Sequence, residues 1–222
     1  MANHKIAEIF TSINGEGEKA GQLAVFIRLQ GCNLNCSYCD TKWANEEDCP
    51  FHWTETAEIA EFVRSLRIRN VTITGGEPLI QPDIRELLEA LTSLPDTEVE
   101  IETNGSVPLA GFLDMKNRPS FTMDYKLPGS GMEDAMLTSN FLCLDSRDMV
   151  KFVVKDGADL MRAKEIIDSF DLTSRCPVHL SPVYGEINPE DIVNFMKSYR
   201  MNGVTLQLQL HKIIWAPDVR GV

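Results

Sequence analysis

Short apolar runs recur along the chain and alternate with amphipathic stretches. Residues 24–29, 71–74, 99–102, 121–125, 150–154, 178–180 and 204–210 read as strands. Between several of them, residues 55–65, 83–94, 159–170 and 190–199 carry apolar side chains at helical spacing. Pro82, Pro189 and Thr54 stand where helix starts are expected. Strand and helix in alternation predict an α/β fold, a largely parallel sheet with helices on one side. The length fits one domain, residues 1–222. The least legible stretch is 127–145, whose Pro128-Gly129-Ser130-Gly131 opening reads as a flexible loop.

Two strands depart from the all-apolar pattern of an ordinary parallel sheet. In Val204-Thr205-Leu206-Gln207-Leu208-Gln209-Leu210-His211, apolar side chains take one face and polar ones the other. Glu98, Glu100 and Glu102 likewise alternate with Val99 and Ile101. Polar groups on an inner face are tolerable where that face lines a wet, ligand-filled hollow. This predicts an open, partial (β/α) barrel of mainly parallel strands with its site at the strands' carboxyl ends. For Glu98 alone, a solvent-facing position is the better reading.

Charge narrows the partners. A formal net charge of -12 argues against a broad phosphate-binding surface and so against nucleic acid; a small-molecule substrate fits better. The start Met1-Ala2-Asn3-His4-Lys5-Ile6 lacks a long apolar core, and no run approaches a membrane span, so a cytoplasmic protein is expected. Reduced thiols suit that compartment. Cys143 and Cys176 sit in apolar contexts and read as core thiols.

The chemistry concentrates in Gly31-Cys32-Asn33-Leu34-Asn35-Cys36-Ser37-Tyr38-Cys39-Asp40-Thr41. Three cysteines at Cys-x3-Cys-x2-Cys spacing behind a strand offer soft thiolates for an iron–sulfur cluster or zinc. Clusters usually take four cysteines. Either Cys49 completes the set or one iron is left open to a small molecule; a zinc loop with Cys49 or a histidine as fourth ligand is the rival reading. Arg28 lies in an apolar strand just before the cysteines and must pair with an acid or face a ligand carboxylate. Thr72-Ile73-Thr74-Gly75-Gly76-Glu77-Pro78-Leu79 follows a strand, and its two glycines let the backbone approach a ligand closely.

The cysteine spacing, Tyr38 before the third cysteine and the Gly-Gly-Glu-Pro run together resemble radical S-adenosylmethionine (SAM) enzymes, and the sheet would be an abbreviated radical SAM core. Within that superfamily, Ile13-Asn14-Gly15-Glu16-Gly17, Phe26-Ile27-Arg28-Leu29-Gln30-Gly31-Cys32, Glu102-Thr103-Asn104-Gly105 and Gln209-Leu210-His211-Lys212-Ile213-Ile214-Trp215 resemble the 7-carboxy-7-deazaguanine synthase family.

That resemblance implies conversion of 6-carboxy-5,6,7,8-tetrahydropterin to 7-carboxy-7-deazaguanine with loss of ammonia, on the route to queuosine and other 7-deazapurines. It implies a 4Fe-4S cluster on Cys32, Cys36 and Cys39, SAM regenerated in each cycle, and Mg2+ at Thr41. Tyr38, Asp40, Gly76, Glu77, Glu102, Asn104, the Asp124-Tyr125-Lys126 segment and Ser181 fall where SAM contacts are expected. Ile13, Asn14, Gly15, Glu16, Arg28, Thr74, His211 and the Val222 carboxylate match substrate positions, with residues 204–222 capping the pocket. An electron donor such as flavodoxin or ferredoxin and a homodimer are implied as well. Asn14 stands where the family commonly has Gln, and Asp124-Tyr125-Lys126 replaces a more usual Ser-Pro-Lys. Other short radical SAM chains, chiefly the enzymes that install a glycyl radical on a partner protein, share the cysteine and Gly-Gly-Glu-Pro motifs and are the alternative.

Overall fold

The computed structural model describes residues 2–46 and 48–222. Nine strands form one sheet: β1 (Asn3–Ile13), β2 (Leu23–Leu29), β3 (His52–Glu55), β4 (Asn70–Gly75), β5 (Glu98–Thr103), β6 (Ser120–Asp124), β7 (Met149–Val154), β8 (Val178–Pro182) and β9 (Val204–Leu206). Their order is β3-β1-β2-β4-β5-β6-β7-β8-β9. β1 pairs antiparallel with β2 and β3, and every pair from β2 to β9 is parallel. The sheet is open: β3 and β9 are its edges. Helices α1 (Thr56–Leu66), α2 (Ile84–Thr92), α3 (Gly157–Phe170), α4 (Pro189–Tyr199) and the short α5 (His211–Ile214) complete the regular elements. Among the described residues no helix is long and apolar enough to cross a membrane.

Strand alternation separates two worlds. Val25, Ile27 and Leu29, Val71 and Ile73, Val99 and Ile101, Phe121 and Met123, Val150, Phe152 and Val154, and Val178 and Leu180 belong to one core. That core also contains Ile59 and Val63 of α1, Leu87, Leu88 and Leu91 of α2, Leu160, Ala163, Ile166 and Ile167 of α3, and Ile192 of α4. The intervening residues face away from the helices. In register across the sheet they place Glu8 beside Arg28, Arg28 beside Thr74, Glu102 beside Thr122, Asp124 beside Lys151, and Lys151 beside His179. The expected half-barrel with a polar hollow is therefore present.

Three local features differ from the sequence reading. Strands β1 and β3 have no clean apolar signal: β1 carries a register irregularity between Ile6 and Glu8, which puts Ile6 in the core and Glu8 on the polar face opposite Arg28. Strand β9 ends at Leu206, short of residue 210, because Gln207 turns its amide onto Gly17. The stretch 127–145 folds into short 3-10 turns rather than an unpinned loop; Ser130 is buried, and Gly129 N–H donates to Asp159 Oδ1 at 2.8 Å.

Candidate active site

The cysteine loop leaves the end of β2 and is fastened from three sides. The Glu77 N–H donates to the Gly31 carbonyl at 2.9 Å and the Gly76 N–H to the Leu29 carbonyl at 3.2 Å, joining the loop to the end of β4. This approach is possible only for glycine. A Cβ on Gly75 would lie 2.1 Å from the Leu29 carbonyl oxygen, and one on Gly76 the same distance from that of Gly31. From β5, Asn104 Nδ2 donates to Asn33 Oδ1 at 3.1 Å and lies 3.7 Å from the Cys32 sulfur. From the Pro128–Ser130 turn, the Gly129 carbonyl accepts the Ser37 hydroxyl at 2.8 Å and the Ser130 carbonyl accepts the Ser37 N–H at 3.0 Å. The Tyr38 hydroxyl donates to the Val153 carbonyl at 3.2 Å.

The thiols of Cys32, Cys36 and Cys39 are close enough to influence one another electrostatically. Burial pushes the Cys32 and Cys36 thiols above their ordinary pKa, with Lys126 opposing the rise at Cys36. Cys49 is buried elsewhere: its thiol donates to the Pro50 carbonyl at 3.4 Å, and the charges acting on it are those of Arg220, Asp48, Glu46 and Glu8. Among the described residues no three His, Cys, Asp or Glu side chains are placed to clasp a single metal ion. A cubane, whose iron atoms stand apart, makes no such demand of its three ligands. The donor set thus fits a cluster held by soft thiolates that lose their protons on binding.

Below the loop lies the polar face of the sheet. Arg28 donates through Nε to Glu8 Oε1 at 2.7 Å and lies over the Phe10 ring, which stacks on Phe26 at 5.0 Å. The Thr74 hydroxyl donates to Glu102 Oε2 at 2.6 Å, and the Thr72 hydroxyl to Asn14 Oδ1 at 2.9 Å. Glu16 accepts from Ser181 at 2.8 Å, pairs with Lys151 at 3.1 Å and accepts from Gln209 at 3.4 Å. Burial alone would raise Glu16, but Lys151 and these donors together hold its carboxyl below the usual value. His211 packs its ring so tightly on Gly15 that a Cβ there would lie 2.2 Å from Nδ1. Burial lowers the His211 pKa, against the pull of Glu16. Among the described residues, Asn14 Nδ2 and Asp124 Oδ1 in this region are buried and have no hydrogen-bond partner. Such groups are what a polar ligand would satisfy.

Most of the residues singled out from the sequence therefore converge. Cys32, Cys36, Cys39, Tyr38, Asn104, Asp124 and Lys126 gather at the loop. Asn14, Gly15, Glu16, Arg28, Thr74, Glu102, Ser181 and His211 line the hollow. Asp40 accepts from the Thr41 hydroxyl at 3.1 Å and pairs with Lys212 at 3.1 Å, linking the loop to the tail. Ile13 is half-buried at the end of β1. Val222 ends a tail whose Arg220 guanidinium sits 4.2 Å over the Trp43 ring, beside the cysteine loop.

Two expectations are corrected. The Tyr125 ring is on the opposite face of the sheet, stacked on Phe141 and packed on Phe152, because strand alternation sends it to the core while Asp124 faces the hollow. Glu77 is fully buried, at 0% exposure, and its carboxylate is taken by the Leu79 N–H, the Thr103 hydroxyl and the Asn104 N–H at 3.0, 2.9 and 2.6 Å. It braces the ends of β4 and β5. Lys151 was the residue that sequence reasoning passed over, although a lone cation inside the apolar run of β7 is the same signal that marks Arg28.

A model of the radical SAM superfamily matches residues 26–124, from β2 through the cysteine loop to the end of β6. A 7-carboxy-7-deazaguanine synthase of Clostridium acetobutylicum is 56% identical over 220 residues, spanning 99% of this chain and 100% of the relative. The chain belongs to the 7-carboxy-7-deazaguanine synthase family. Another member, from Methanospirillum hungatei, is 40% identical over 96% of this chain and 86% of its own length. The fold agrees with a solved structure described as QueE from Escherichia coli, at a TM-score of 0.73 and 24% identity, covering 93% of this chain and 94% of that one. Membership of the radical SAM superfamily implies a 4Fe-4S cluster and SAM as cofactors of this 7-carboxy-7-deazaguanine synthase family member.

Proposed function

We propose that this chain converts 6-carboxy-5,6,7,8-tetrahydropterin to 7-carboxy-7-deazaguanine, releasing ammonia, as a step toward queuosine and related 7-deazapurines. The observation that carries this beyond family membership is the hollow itself. A guanidinium stands there on an aromatic stack, its Nε held by Glu8, and among the described residues its terminal nitrogens have no hydrogen-bond partner and are placed to bind a carboxylate. Cys32, Cys36 and Cys39 would hold the cluster, and cluster and SAM together would supply radical chemistry for hydrogen abstraction from C6 of the pterin. Arg28 binds the substrate carboxylate. Asn14, Thr74 and His211 orient the ring system from the floor and the tail side. Asn104, Asp124 and Lys126 receive SAM beside the thiols, and the Asp124 Oδ1 acceptor gains its missing donor there.

The finer assignments belong to the same reading. Thr41, whose hydroxyl donates to Asp40, would hold a Mg2+, which would supply positive charge for the substrate carboxylate. Residues 204–222 cap the pocket, Arg220 on Trp43 bringing the tail to the cysteine loop. The protein works as a cytoplasmic homodimer and takes electrons from a flavodoxin or ferredoxin. The test is anaerobic cluster reconstitution, then incubation with SAM, Mg2+, reductant and the carboxylated pterin, with mass spectrometry for the deazaguanine acid. Arg28→Ala should abolish pterin turnover while SAM still binds. Robust SAM cleavage by the wild type with no deazaguanine acid would overturn the assignment.

A further inference from the structure

The hollow contains one cation to which none of the roles above assigns work. Lys151 stands in mid-β7, all of whose residues are buried, and its own side chain is 10% exposed. Its ammonium lies 3.1 Å from Glu16 Oε2 and 3.7 Å from Asp124 Oδ2. A lysine so placed is costly unless both its charge and its donors are answered, and two carboxylates answer them here.

Those carboxylates come from different parts of the chain. Glu16 belongs to the loop after β1, which also carries Asn14 and Gly15. Asp124 ends β6, where its other oxygen is an unpartnered buried acceptor and where Lys126 pairs with it at 2.8 Å near Cys36. The loop has further ties: Gly17 to Gln207, Glu18 to His179 and Asn14 to Thr72. Among the described residues only Lys151 forms ion pairs with both the loop and the end of β6.

We infer that Lys151 is a positioning residue: its ammonium locks the pterin-binding loop, through Glu16, to the strand end that receives SAM, through Asp124. This rests on the proposed function. The two reactants come from separate segments, and radical transfer needs them in one geometry. A misplacement of about 1 Å can cost roughly 100-fold in rate. With the lock gone, the pterin hydrogen is out of reach of the radical, which would instead be quenched by an electron from the reductant and a proton from water, so that SAM would be lost as methionine and free 5′-deoxyadenosine.

The test uses reconstituted holoenzyme carrying Lys151→Met, Lys151→Arg, Glu16→Gln or the Lys151→Met/Glu16→Gln pair. Three quantities are read: kcat and KM for the pterin, 5′-deoxyadenosine released per deazaguanine acid, and hydrogen exchange across residues 14–18 and 124–126. Lys151→Met should lower kcat by about 100-fold and raise the deoxyadenosine ratio at least about tenfold. It should speed exchange in those two segments and not elsewhere. Arg should recover part of the loss, Glu16→Gln should reproduce it, and the double variant should add nothing beyond either single change. A wild-type ratio, or faster exchange spread evenly over the molecule, would overturn the inference. Should Lys151→Met fail to fold, the ratio in Glu16→Gln decides: a wild-type value refutes the lock. If the wild type makes no deazaguanine acid, the proposed function falls, and unchanged exchange at 14–18 and 124–126 in Lys151→Met would separately refute the lock.

Discussion

Gly76→Ala should cost this protein its cluster before it costs its fold. The added Cβ would stand 2.1 Å from the Gly31 carbonyl oxygen and 2.3 Å from Asn45 Oδ1. The asparagine can swing aside, but the carbonyl is backbone. An ordinary carbon–oxygen contact is roughly 3.3 Å, so the Gly31 peptide and the turn carrying Gly76 must part by about 1.2 Å. That movement breaks the bond from the Glu77 N–H to the Gly31 carbonyl, now 2.9 Å. Orphaning that N–H costs about 1–3 kcal/mol, and the overpacking costs about 1–3 kcal/mol more. A loss of about 2–6 kcal/mol falls within the ~5–15 kcal/mol that holds a typical domain together, so the chain still folds. Cys32, the residue after Gly31, moves with the peptide, and the three sulfurs no longer match one cluster. Urea unfolding measures the first quantity; iron content and visible absorbance after anaerobic reconstitution measure the second. Gly111→Ala is the control, since nothing lies within 4 Å of its Cβ, and its effect should stay within about 0.5 kcal/mol. A Gly76→Ala protein with wild-type iron and less than about 1 kcal/mol lost would refute the reasoning.

Three further outcomes are expected. Gly15→Ala drives its Cβ against the His211 ring, a side chain that can turn aside, so stability should hold while the pterin KM rises about tenfold, worth about 1.4 kcal/mol; an unchanged KM would remove His211 from the substrate. Asp159→Ala orphans the Gly129 and Lys155 N–H groups, bonded at 2.8 and 2.9 Å, and should cost about 2–4 kcal/mol in urea. It should also lower iron retention, because the turn it frees holds Ser37; full retention would show that the turn and the cysteine loop are uncoupled. Glu16 has a folded pKa below its ordinary value of 4.5, so its contribution is present above that value and is lost as pH falls through the folded pKa. Wild type should therefore lose stability more steeply than Glu16→Gln below about pH 4.5, and parallel urea midpoints across that range would contradict the ion pair.

Strands buried on the helix side were legible because one face of each is uniformly apolar, and this carried the reading of β2 and of β4 to β8 as strands. β1 was not, because its face switches in mid-strand: Ile6 packs in the core while Glu8 pairs with Arg28, and no period of two survives that shift. β3 is a short edge with His52, Trp53 and Glu55 exposed, so burial left no pattern in it. The cysteines, the glycine pair and Arg28 were found because each is chemically odd in its setting. Lys151 was equally odd but sits far in sequence from any motif, and its partners Glu16 and Asp124 meet it only through the fold. Tyr125 misled for the converse reason: it adjoins two site residues in sequence, and alternation turns it away from both. Glu77 sits inside a recognisable motif, yet its three donors come from Leu79, Thr103 and Asn104, and their convergence is visible only once β4 and β5 are side by side.

The open sheet and the polar hollow pose one physical problem. Arg28, Glu102, Asp124, Lys151 and His179 share a face, and a fully closed barrel would bury them with little room for a ligand. An open sheet leaves that room but, among the described residues, has no strand ladder joining β1 to β9. The loop after β1 supplies the bridge with side chains instead of a strand ladder. Gln207 accepts the Gly17 N–H at 2.9 Å and donates to the Gly17 carbonyl at 3.2 Å, treating one residue as a neighbouring strand would. Glu18 reaches His179, Glu16 reaches Lys151 and Ser181, and the Leu210 N–H donates to the Gly15 carbonyl. Gly17 adopts φ +83°, which only glycine takes without strain, so the loop can turn into the hollow at that point. The loop that resembles the family's substrate-binding segment is thus also the element that closes the half-barrel. Any substitution that loosens the closure must disturb the pocket floor with it.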